Sequence, residues 1–294
     1  MFSLAETITR KSSLQTYITI RLLVDRKLMQ QCFQAYAYFR WLDDQIDLVY
    51  KTKKERLACI KRQRSIIQQS CDNILPKKLS LEEQLIVDLI KSNRDKNSKL
   101  GLFVFSFFDI IAFDAVRKGT LISQKDLDWY SKTLSIAVTS GIEYFIHSRY
   151  IYPFSKHHYD AGIAAHIAHM LRDYHEDLDE GFFNIPKEYL VKHGMKPNDV
   201  NTIAFRNWVK HRVKLGRRLL QTGKTYIRTL PVLRGKLAAY WYCCRFENVL
   251  DSLEKDQFIL HAKYPRHFNV GLHWNMLKTF ITVCFTHLRY NKSQ

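Results

Sequence analysis

Long apolar-rich stretches fill most of the sequence, and short polar breaks separate them. Residues 35–47 have the composition of a buried helix, and apolar side chains cover nearly all faces of a helix at 163–171. A helix that is apolar nearly all round is usually buried. The pattern predicts helices at 17–49, 53–72, 80–93, 99–117, 124–150, 157–178, 198–229, 233–255 and 271–289.

Scarce turn formers point to the same class of fold. The 294 residues include only ten Gly and six Pro, with no proline before Pro76, against an average usage of about 7% and 5%. Few turn formers favour long helices with short connections, and a Rossmann or β-rich fold would need more glycine. The length suffices for one large core, and no repeat or boundary divides it, so the sequence predicts a single all-α domain over residues 1–294.

Cysteine usage and hydropathy bear on the compartment. The six cysteines show no paired or metal-binding spacing, so they indicate reduced thiols and a cytoplasmic protein. Residues 1–12 lack the apolar core segment of a signal peptide. The longest apolar run, 100–113, is interrupted by Ser106 and Asp109 and is too short to span a bilayer; it predicts a core helix.

A cluster of carboxylates lies inside the first apolar helix. Asp43, Asp44 and Asp47 fall within one and a half turns, next to Phe39 and Trp41. Burying unpaired charge is expensive, and a divalent cation would remove the conflict. Residues four apart leave one helix face, so Asp43 and Asp47 could share a hard ion such as Mg2+. An acidic pair on a solvated face is the alternative.

A second polar stripe lies in the helix predicted at 157–178. Gly162, His166, His169, Asp173 and Asp177 follow each other at intervals of three or four residues, which places them on one helix face. The remaining faces are apolar, so the stripe is expected to face an internal, wet cavity. The alternative is a polar outer face that is salt-bridged to the neighbouring arginine.

Two acidic helices about 130 residues apart suggest two carboxylate walls of one pocket. Mg2+ takes one or two carboxylates together with phosphate oxygens of a substrate. It can then stabilise departing charge and orient a leaving group. The sequence therefore predicts a site for a polyphosphate substrate and Mg2+.

The motifs resemble those of the squalene and phytoene synthases. YAYFRWLDDQID at 36–47 is similar to the first signature of that family, and LRDYHED at 171–177, followed by Gly181 and Pro186, is similar to its second. Leu230, Pro231 and Arg234, and then residues 249–254, resemble its C-terminal helix region. The resemblance spans roughly residues 13–265 and implies the isoprenoid synthase fold, a helical bundle around a central cavity.

The resemblance also implies a reaction and its residues. In that family, metal ions held by the acidic motifs ionise one prenyl diphosphate, and a second molecule captures the allylic cation. This implies Mg2+ as cofactor, with Mn2+ as the alternative. Catalytic roles are implied for Asp43, Asp47, Asp173, Asp177, Tyr36 and Arg40. Substrate-binding roles are implied for Tyr36, Arg40, Arg172, His166, His169 and Lys263. Metal binding is implied for Asp43, Asp44, Asp47, His169, Asp173, Glu176 and Asp177.

Several positions depart from the family pattern. His166 and His169 stand where Gln and Asn are usual, and imidazole suits Mn2+ better than Mg2+. Two glycines of a small-residue stretch are missing at 135–139, unless Gly141 substitutes. The sequence GFFNIP at 181–186 lacks an Arg and a Tyr, and Phe246 replaces a Tyr.

The function expected from the resemblance is head-to-head condensation of two farnesyl or geranylgeranyl diphosphates. The products would be of squalene, dehydrosqualene or phytoene type. The departures keep two alternatives open: a class I terpene cyclase or diphosphate lyase acting on one prenyl diphosphate, and a non-catalytic binding or assembly protein. The sequence shows no nucleotide fingerprint, so it does not decide whether NADPH takes part in a second, reductive step.

The positive net charge bears on which partners the chain could bind. The chain carries a formal charge of +18 and a pI near 9.6. The basic residues form no arm and no known nucleic-acid motif, so no nucleic-acid partner is expected. Peripheral membrane association is expected as one interpretation, through basic residues at 210–218 and the aromatic helix at 274–290. Ordinary surface charge is the other.

Overall fold

The computed structural model describes residues 2–147, 150, 152–262, 264, 274, 276 and 278–284. Within these residues the secondary structure is helical, apart from one isolated parallel bridge between Leu121 and Phe183. The all-α prediction is confirmed. Among the described helices, none combines the length and the apolar character needed to cross a bilayer.

The Cα positions separate into two compact units. Unit 1 comprises Met1–Lys118 and Ile136–Arg149, and unit 2 comprises Gly119–Ser135 and Tyr150–Gln294. This grouping does not test whether the chain is one domain, which stays a prediction.

Unit 1 holds the first helices of the chain. They are α1 (Leu4–Ser12), α2 (Leu14–Leu23), α3 (Met29–Asp44), α4 (Lys53–Cys71), α5 (Leu81–Ser92), α6 (Lys99–Arg117) and the second half of α7 (Gln124–His147). A 3-10 turn at Arg26–Leu28 precedes α3, and a π-helical turn at Gln45–Val49 follows it. Capping boxes begin α1, α4 and α5, where Ser or Thr at the N-cap exchanges hydrogen bonds with Glu three residues later.

Aromatic packing forms part of the core of unit 1. The ring of Phe39 on α3 lies 5.5 Å from that of Phe103 and 5.2 Å from that of Phe107, both on α6. Phe145 on α7 meets Phe103 edge to face. A Cβ at Gly141 would lie 2.8 Å from the Phe103 ring, so the absent side chain lets α7 approach α6.

Unit 2 holds the first half of α7 and the remaining helices. These are α8 (Asp160–Arg172), α9 (Tyr174–Asp179), α10 (Lys187–His193), α11 (Ile203–Thr229) and α12 (Leu233–Lys255). Helix α8 packs against both α11 and α12. The close approach of α8 and α11 depends on Gly223, where a Cβ would lie 2.6 Å from the Ala161 nitrogen.

Two predicted helices differ from the structure, and a third is described only in part. The predicted helix 17–49 is wrong as one element, because Ser13 caps α2 and an extended Val24 ends it. The predicted helix 157–178 is divided at Asp173, and the short α10 was not predicted. Of the helix predicted at 271–289, only residues 274, 276 and 278–284 are described, and these are helical.

Candidate active site

The first acidic motif lies at the end of α3 in unit 1, where Arg40 neutralises its carboxylates. The Arg40 guanidinium donates a short hydrogen bond to Asp44 and lies 3.7 Å from Asp43 Oδ2. Burial alone would lower the pKa of Arg40, but the hydrogen bond to Asp44 and the charges of both aspartates outweigh burial and raise it. The charge conflict visible in the sequence is therefore relieved by an arginine one turn earlier on the same helix.

A π-helical turn carries the last carboxylate of this motif. The Tyr50 N–H donates to the carbonyl of Gln45 at 2.9 Å, which closes a wider turn than an α-helix has. The prediction that Asp43 and Asp47 lie on one face assumed α-helical spacing throughout, and that spacing ends at Asp44. Lys118 donates to the Asp47 carbonyl oxygen at 2.9 Å and fixes the turn from the end of α6. Such π turns are frequent at functional sites.

The second acidic motif lies in unit 2, where α8 ends. Asp173 leaves the α-helical conformation with φ −96° and ψ 10°, and α9 begins at the next residue. Its carboxylate accepts two hydrogen bonds from Arg172, from Nε at 2.7 Å and from a terminal nitrogen at 2.6 Å. His169 Nε2 lies 3.0 Å from Asp173 Oδ2. The predicted single stripe is thus interrupted at Asp173, the residue that both Arg172 and His169 contact.

The environment of Asp173 strongly favours its ionised form. Burial would raise the pKa of this carboxyl group, but the hydrogen bonds from Arg172 and His169 and their charges lower it far below its usual range. A carboxylate that stays ionised is a ready ligand for a cation. Because each oxygen has two acceptor sites, the fork of Arg172 does not use all of them.

Asp177 is held by a loop that folds back beneath it. Asn184, which is buried, donates to Asp177 Oδ2 at 2.6 Å, and the Phe182 N–H donates to the Asp177 carbonyl at 2.7 Å. Gly181 permits the reversal with φ +86°, and its carbonyl accepts from the Gly119 N–H at 2.8 Å. Asn184 was noted in the sequence only as a departure from the family pattern, and its role as a partner of Asp177 was missed.

The two histidines of the stripe have different surroundings. His166 Nδ1 lies 2.8 Å from Ser131 Oγ on α7, and the ring of Tyr130 packs against its imidazole at 4.9 Å. The Ser131 hydroxyl donates to the Leu127 carbonyl at 2.9 Å, which leaves the Ser131 oxygen free to accept a hydrogen bond from His166 Nδ1. His169 is half exposed and meets the ring of Phe246 from α12 edge to face.

The other predicted site residues are placed as follows. Tyr36 lies on α3 one turn before Arg40, close enough to make a small contribution that raises the pKa of that arginine. Glu176 is exposed on α9. Lys263 lies outside the described residues. The first motif belongs to unit 1, and the second belongs to unit 2.

The donor chemistry of both motifs suits a hard cation that a substrate shares. Among the described residues, no three His, Cys, Asp or Glu side chains are gathered so as to hold a metal ion by themselves. Mg2+ does not require a site in which all ligands come from the protein, because it is usually bound by one or two carboxylates together with water and substrate phosphates. Asp43, Asp47, Asp173 and Asp177 supply oxygen donors of this kind.

The comparisons with known proteins bear on the family and on the fold. A sequence model of the family described as squalene/phytoene synthase matches residues 141–276, which include the second motif. No functionally curated protein matches the chain by sequence.

Two solved structures share the fold. Squalene synthase HpnC from Alicyclobacillus acidocaldarius is 16% identical, with a TM-score of 0.67 over 88% of this chain and 94% of that chain. A dehydrosqualene synthase in complex with ligand is 15% identical, with a TM-score of 0.66 over 99% of this chain and 96% of that chain. At such identities the likeness demonstrates the fold. The chain is therefore similar to the squalene/phytoene synthase family over residues 141–276, and it shares the isoprenoid synthase fold.

Proposed function

We propose that this chain is a Mg2+-dependent prenyltransferase that joins two molecules of farnesyl or geranylgeranyl diphosphate head to head. The product is a hydrocarbon of squalene, dehydrosqualene or phytoene type, and diphosphate is released. The observation that carries the proposal is the pairing of each acidic motif with an arginine, Arg40 with Asp43 and Asp44 and Arg172 with Asp173.

Each pair supplies both charges that a metal–diphosphate complex needs. Carboxylates are ligands for Mg2+, and the planar fork of arginine meets phosphate oxygens in pairs. Without substrate, the arginine and the carboxylates neutralise each other. With substrate, Arg40 and Arg172 would exchange carboxylate for phosphate oxygens, and Asp43, Asp47, Asp173 and Asp177 would be the residues that hold Mg2+. Bound Mg2+ supplies Lewis acidity that stabilises the departing diphosphate.

The side chains around the motifs orient the reacting groups. When an allylic C–O bond breaks, the electron pair leaves with the diphosphate, and the arginine of the motif that binds this diphosphate, Arg40 or Arg172, stabilises its charge. Asn184 fixes the Asp177 carboxylate, and Ser131 fixes the ring of His166. Capture of the allylic cation by the second molecule forms a new carbocation, which loses a proton to give a cyclopropylcarbinyl diphosphate. The second diphosphate then leaves with its electron pair. The rearranged cation loses a proton, or it accepts a hydride, and the hydride requires NADPH.

The experiment that tests the proposal is product analysis. Purified protein is incubated with farnesyl or geranylgeranyl diphosphate, with Mg2+ or Mn2+, and with or without NADPH. Released diphosphate is measured, and the hexane extract is analysed by mass. We expect a hydrocarbon with twice the carbon count of the substrate. A product with a single substrate's carbon count would establish a terpene cyclase or lyase instead, and no diphosphate release under any condition would refute both.

A further inference from the structure

An apolar stripe on α2 faces solvent. Leu14, Ile18 and Leu22 are spaced four residues apart and are 58%, 47% and 63% exposed. At about 100° per residue they cover a sector of about 80° on the helix. Ile20 and Leu23, on the opposite side of α2, are buried. Single exposed apolar residues are ordinary, but a contiguous row indicates a contact surface.

Basic side chains flank this stripe at both ends. Arg10 and Lys11 precede α2, and Arg26 and Lys27 follow it; all four are exposed. We call these four residues the basic flanks. Within the described part of the chain, no ion pair holds Lys11, Arg26 or Lys27.

Acidic residues do not offset the basic flanks. Between residues 2 and 30 the acidic side chains are Glu6 and Asp25, and neither is exposed. Glu6 binds Arg21 at 2.6 Å and also caps α1. The exposed charges of this segment are therefore all positive, on both sides of an apolar row.

We propose that α2 docks this protein on an anionic lipid surface. The apolar stripe enters the boundary between head groups and acyl chains, and the basic flanks contact lipid phosphates. A helix with one apolar face and cationic surroundings lies in the plane of such an interface, and anionic head groups attract the adjacent Lys and Arg. The stripe spans two helical turns, about 12 Å, which suits peripheral contact and not insertion across a bilayer.

Charge complementarity favours lipid over the other occupants of an apolar stripe. A second copy of this strongly basic chain would place the basic flanks next to other positive charges, whereas an anionic leaflet neutralises them. The basic run expected from the sequence to do this, 210–218, is less suited. Arg212 is buried, and Arg217 is held by Asp251 and Glu254.

The test is vesicle binding without substrate, so it is independent of the proposed prenyltransferase activity. Full-length protein is sedimented with phosphatidylcholine vesicles and with vesicles containing phosphatidylserine. We expect binding to the anionic vesicles that weakens with added salt. Replacing Leu14, Ile18 and Leu22 by Gln should raise the half-saturating lipid concentration about a hundredfold. Replacing Arg26 and Lys27 by Gln should raise it about tenfold or more.

The matched control replaces Leu81, Val191 and Ile203 by Gln. These residues are 73%, 81% and 81% exposed, which is more than the stripe, so general surface hydrophobicity falls at least as much. The control should bind vesicles like the wild type. All variants are checked by circular dichroism for an unchanged helical spectrum.

Three outcomes would overturn the proposal. One is a wild-type protein that binds neither kind of vesicle. Another is equal binding by the stripe variant and the wild type. The third is a wild-type dimer in light scattering that the stripe variant converts to a monomer without a change in vesicle binding, which would assign the stripe to a second copy of the chain.

Discussion

Asp173 combines the end of a helix with close contacts to charged side chains. It ends α8, accepts the fork of Arg172 and lies within hydrogen-bonding distance of His169. These partners keep it ionised, which suits a carboxylate that binds a cation. The Asp173 backbone carbonyl also accepts from the Asp177 N–H at 2.9 Å, so both acids of the second motif are positioned together.

Asp173→Asn should therefore remove most of the proposed activity. The amide keeps the shape of the side chain but loses the charge that binds metal and balances Arg172. We expect kcat/KM for Mg2+-dependent diphosphate release to fall at least about a hundredfold, which corresponds to about 2.7 kcal/mol. Asp179→Asn, an exposed acid on α9, the helix that follows Asp173, is the matched control and should keep wild-type turnover. Wild-type activity in Asp173→Asn would show that the metal site is misplaced.

Asn184 should act by positioning the Asp177 carboxylate. Asn184→Ala removes the hydrogen bond to Oδ2, and such supporting contacts are typically worth about 10–100-fold in metal affinity. We expect the Mg2+ concentration for half-maximal activity to rise by about that factor, with less change in turnover at saturating metal.

The control for this prediction is Asn198→Ala, an exposed asparagine in the same unit, which should leave the metal dependence unchanged. An equal loss of turnover at every Mg2+ concentration would contradict a positioning role.

His169 should affect which metal the site prefers. Its Nε2 lies 3.0 Å from Asp173 Oδ2, so the imidazole is next to one of the carboxylates that would hold the metal. Because imidazole binds Mn2+ better than Mg2+, His169→Asn should lower the Mn2+-to-Mg2+ affinity ratio about tenfold in calorimetric titrations with diphosphate present. His211→Asn, on an exposed position of α11, is the control. An unchanged ratio would exclude His169 as a ligand.

The close contact between α7 and α8 in unit 2 requires a residue without a side chain at position 162. A Cβ added to Gly162 would lie 2.1 Å from Ser135 Oγ and 3.0 Å from Ser135 Cα. Ser135 cannot turn away freely, because its hydroxyl donates to the Tyr159 carbonyl at 2.6 Å. Gly162 was predicted as part of the polar stripe, and the structure shows that it permits close packing of two helices.

Gly162→Ala should therefore destabilise the fold by about 1–3 kcal/mol, because one methyl group overpacks a close contact. Gly235→Ala in α12 is the matched control. The nearest atom to its added Cβ is Tyr152 Oη at 3.9 Å, so the substitution should stabilise by about 0.5–1 kcal/mol through lower chain entropy in the unfolded state. Denaturant unfolding of both variants would measure the difference. Equal stability of the two variants would show that α8 can shift to relieve the contact.

Element boundaries were predictable where local sequence determines them. The predicted helices 99–117 and 233–255 agree with α6 and α12, since polar residues or proline flank a continuous apolar pattern. The division at Asp173 was not predictable, because no Gly or Pro marks it and the periodicity continues across it. It coincides with side-chain contacts to Arg172 and His169, which a helical pattern cannot reveal.

The same limit applies to the candidate site. The types of residue and their order along the chain identified the acidic motifs and both arginines. Asn184 was missed as a partner of Asp177, because the loop at 181–184 must fold back before they meet. The π-helical turn after Asp44 was missed for a similar reason: it is fixed in part by Lys118, which lies 71 residues after Asp47.

Stability of the whole molecule should depend on an acid far from both motifs in the sequence. Glu83 on α5 is buried and accepts hydrogen bonds from Arg62 at 2.6 Å to each oxygen. The Gln63 side-chain amide and the Ser80 N–H also donate hydrogen bonds to the Glu83 carboxylate, at 2.7 and 2.9 Å. Burial would raise the pKa of Glu83, but the hydrogen bonds from Arg62, Ser80 and Gln63 outweigh burial and lower it.

A lowered pKa fixes the sign of the pH dependence. The unfolded chain protonates Glu83 near 4.5, at a higher pH than the folded chain does. The stabilisation is therefore complete above that pH and is lost as the pH falls through the folded-state pKa. Glu83→Gln should lower the free energy of unfolding at pH 7 by about 1–3 kcal/mol, and this difference from the wild type should narrow steadily below pH 4.5.

The control is Glu82→Gln, because the Glu82 side chain makes no hydrogen bond or ion pair in the described part of the chain. This variant should follow the wild-type curve. Urea unfolding between pH 3 and pH 7 measures all three proteins, and a Glu83→Gln curve that runs parallel to the wild type would mean that Glu83 is not ionised in the folded state.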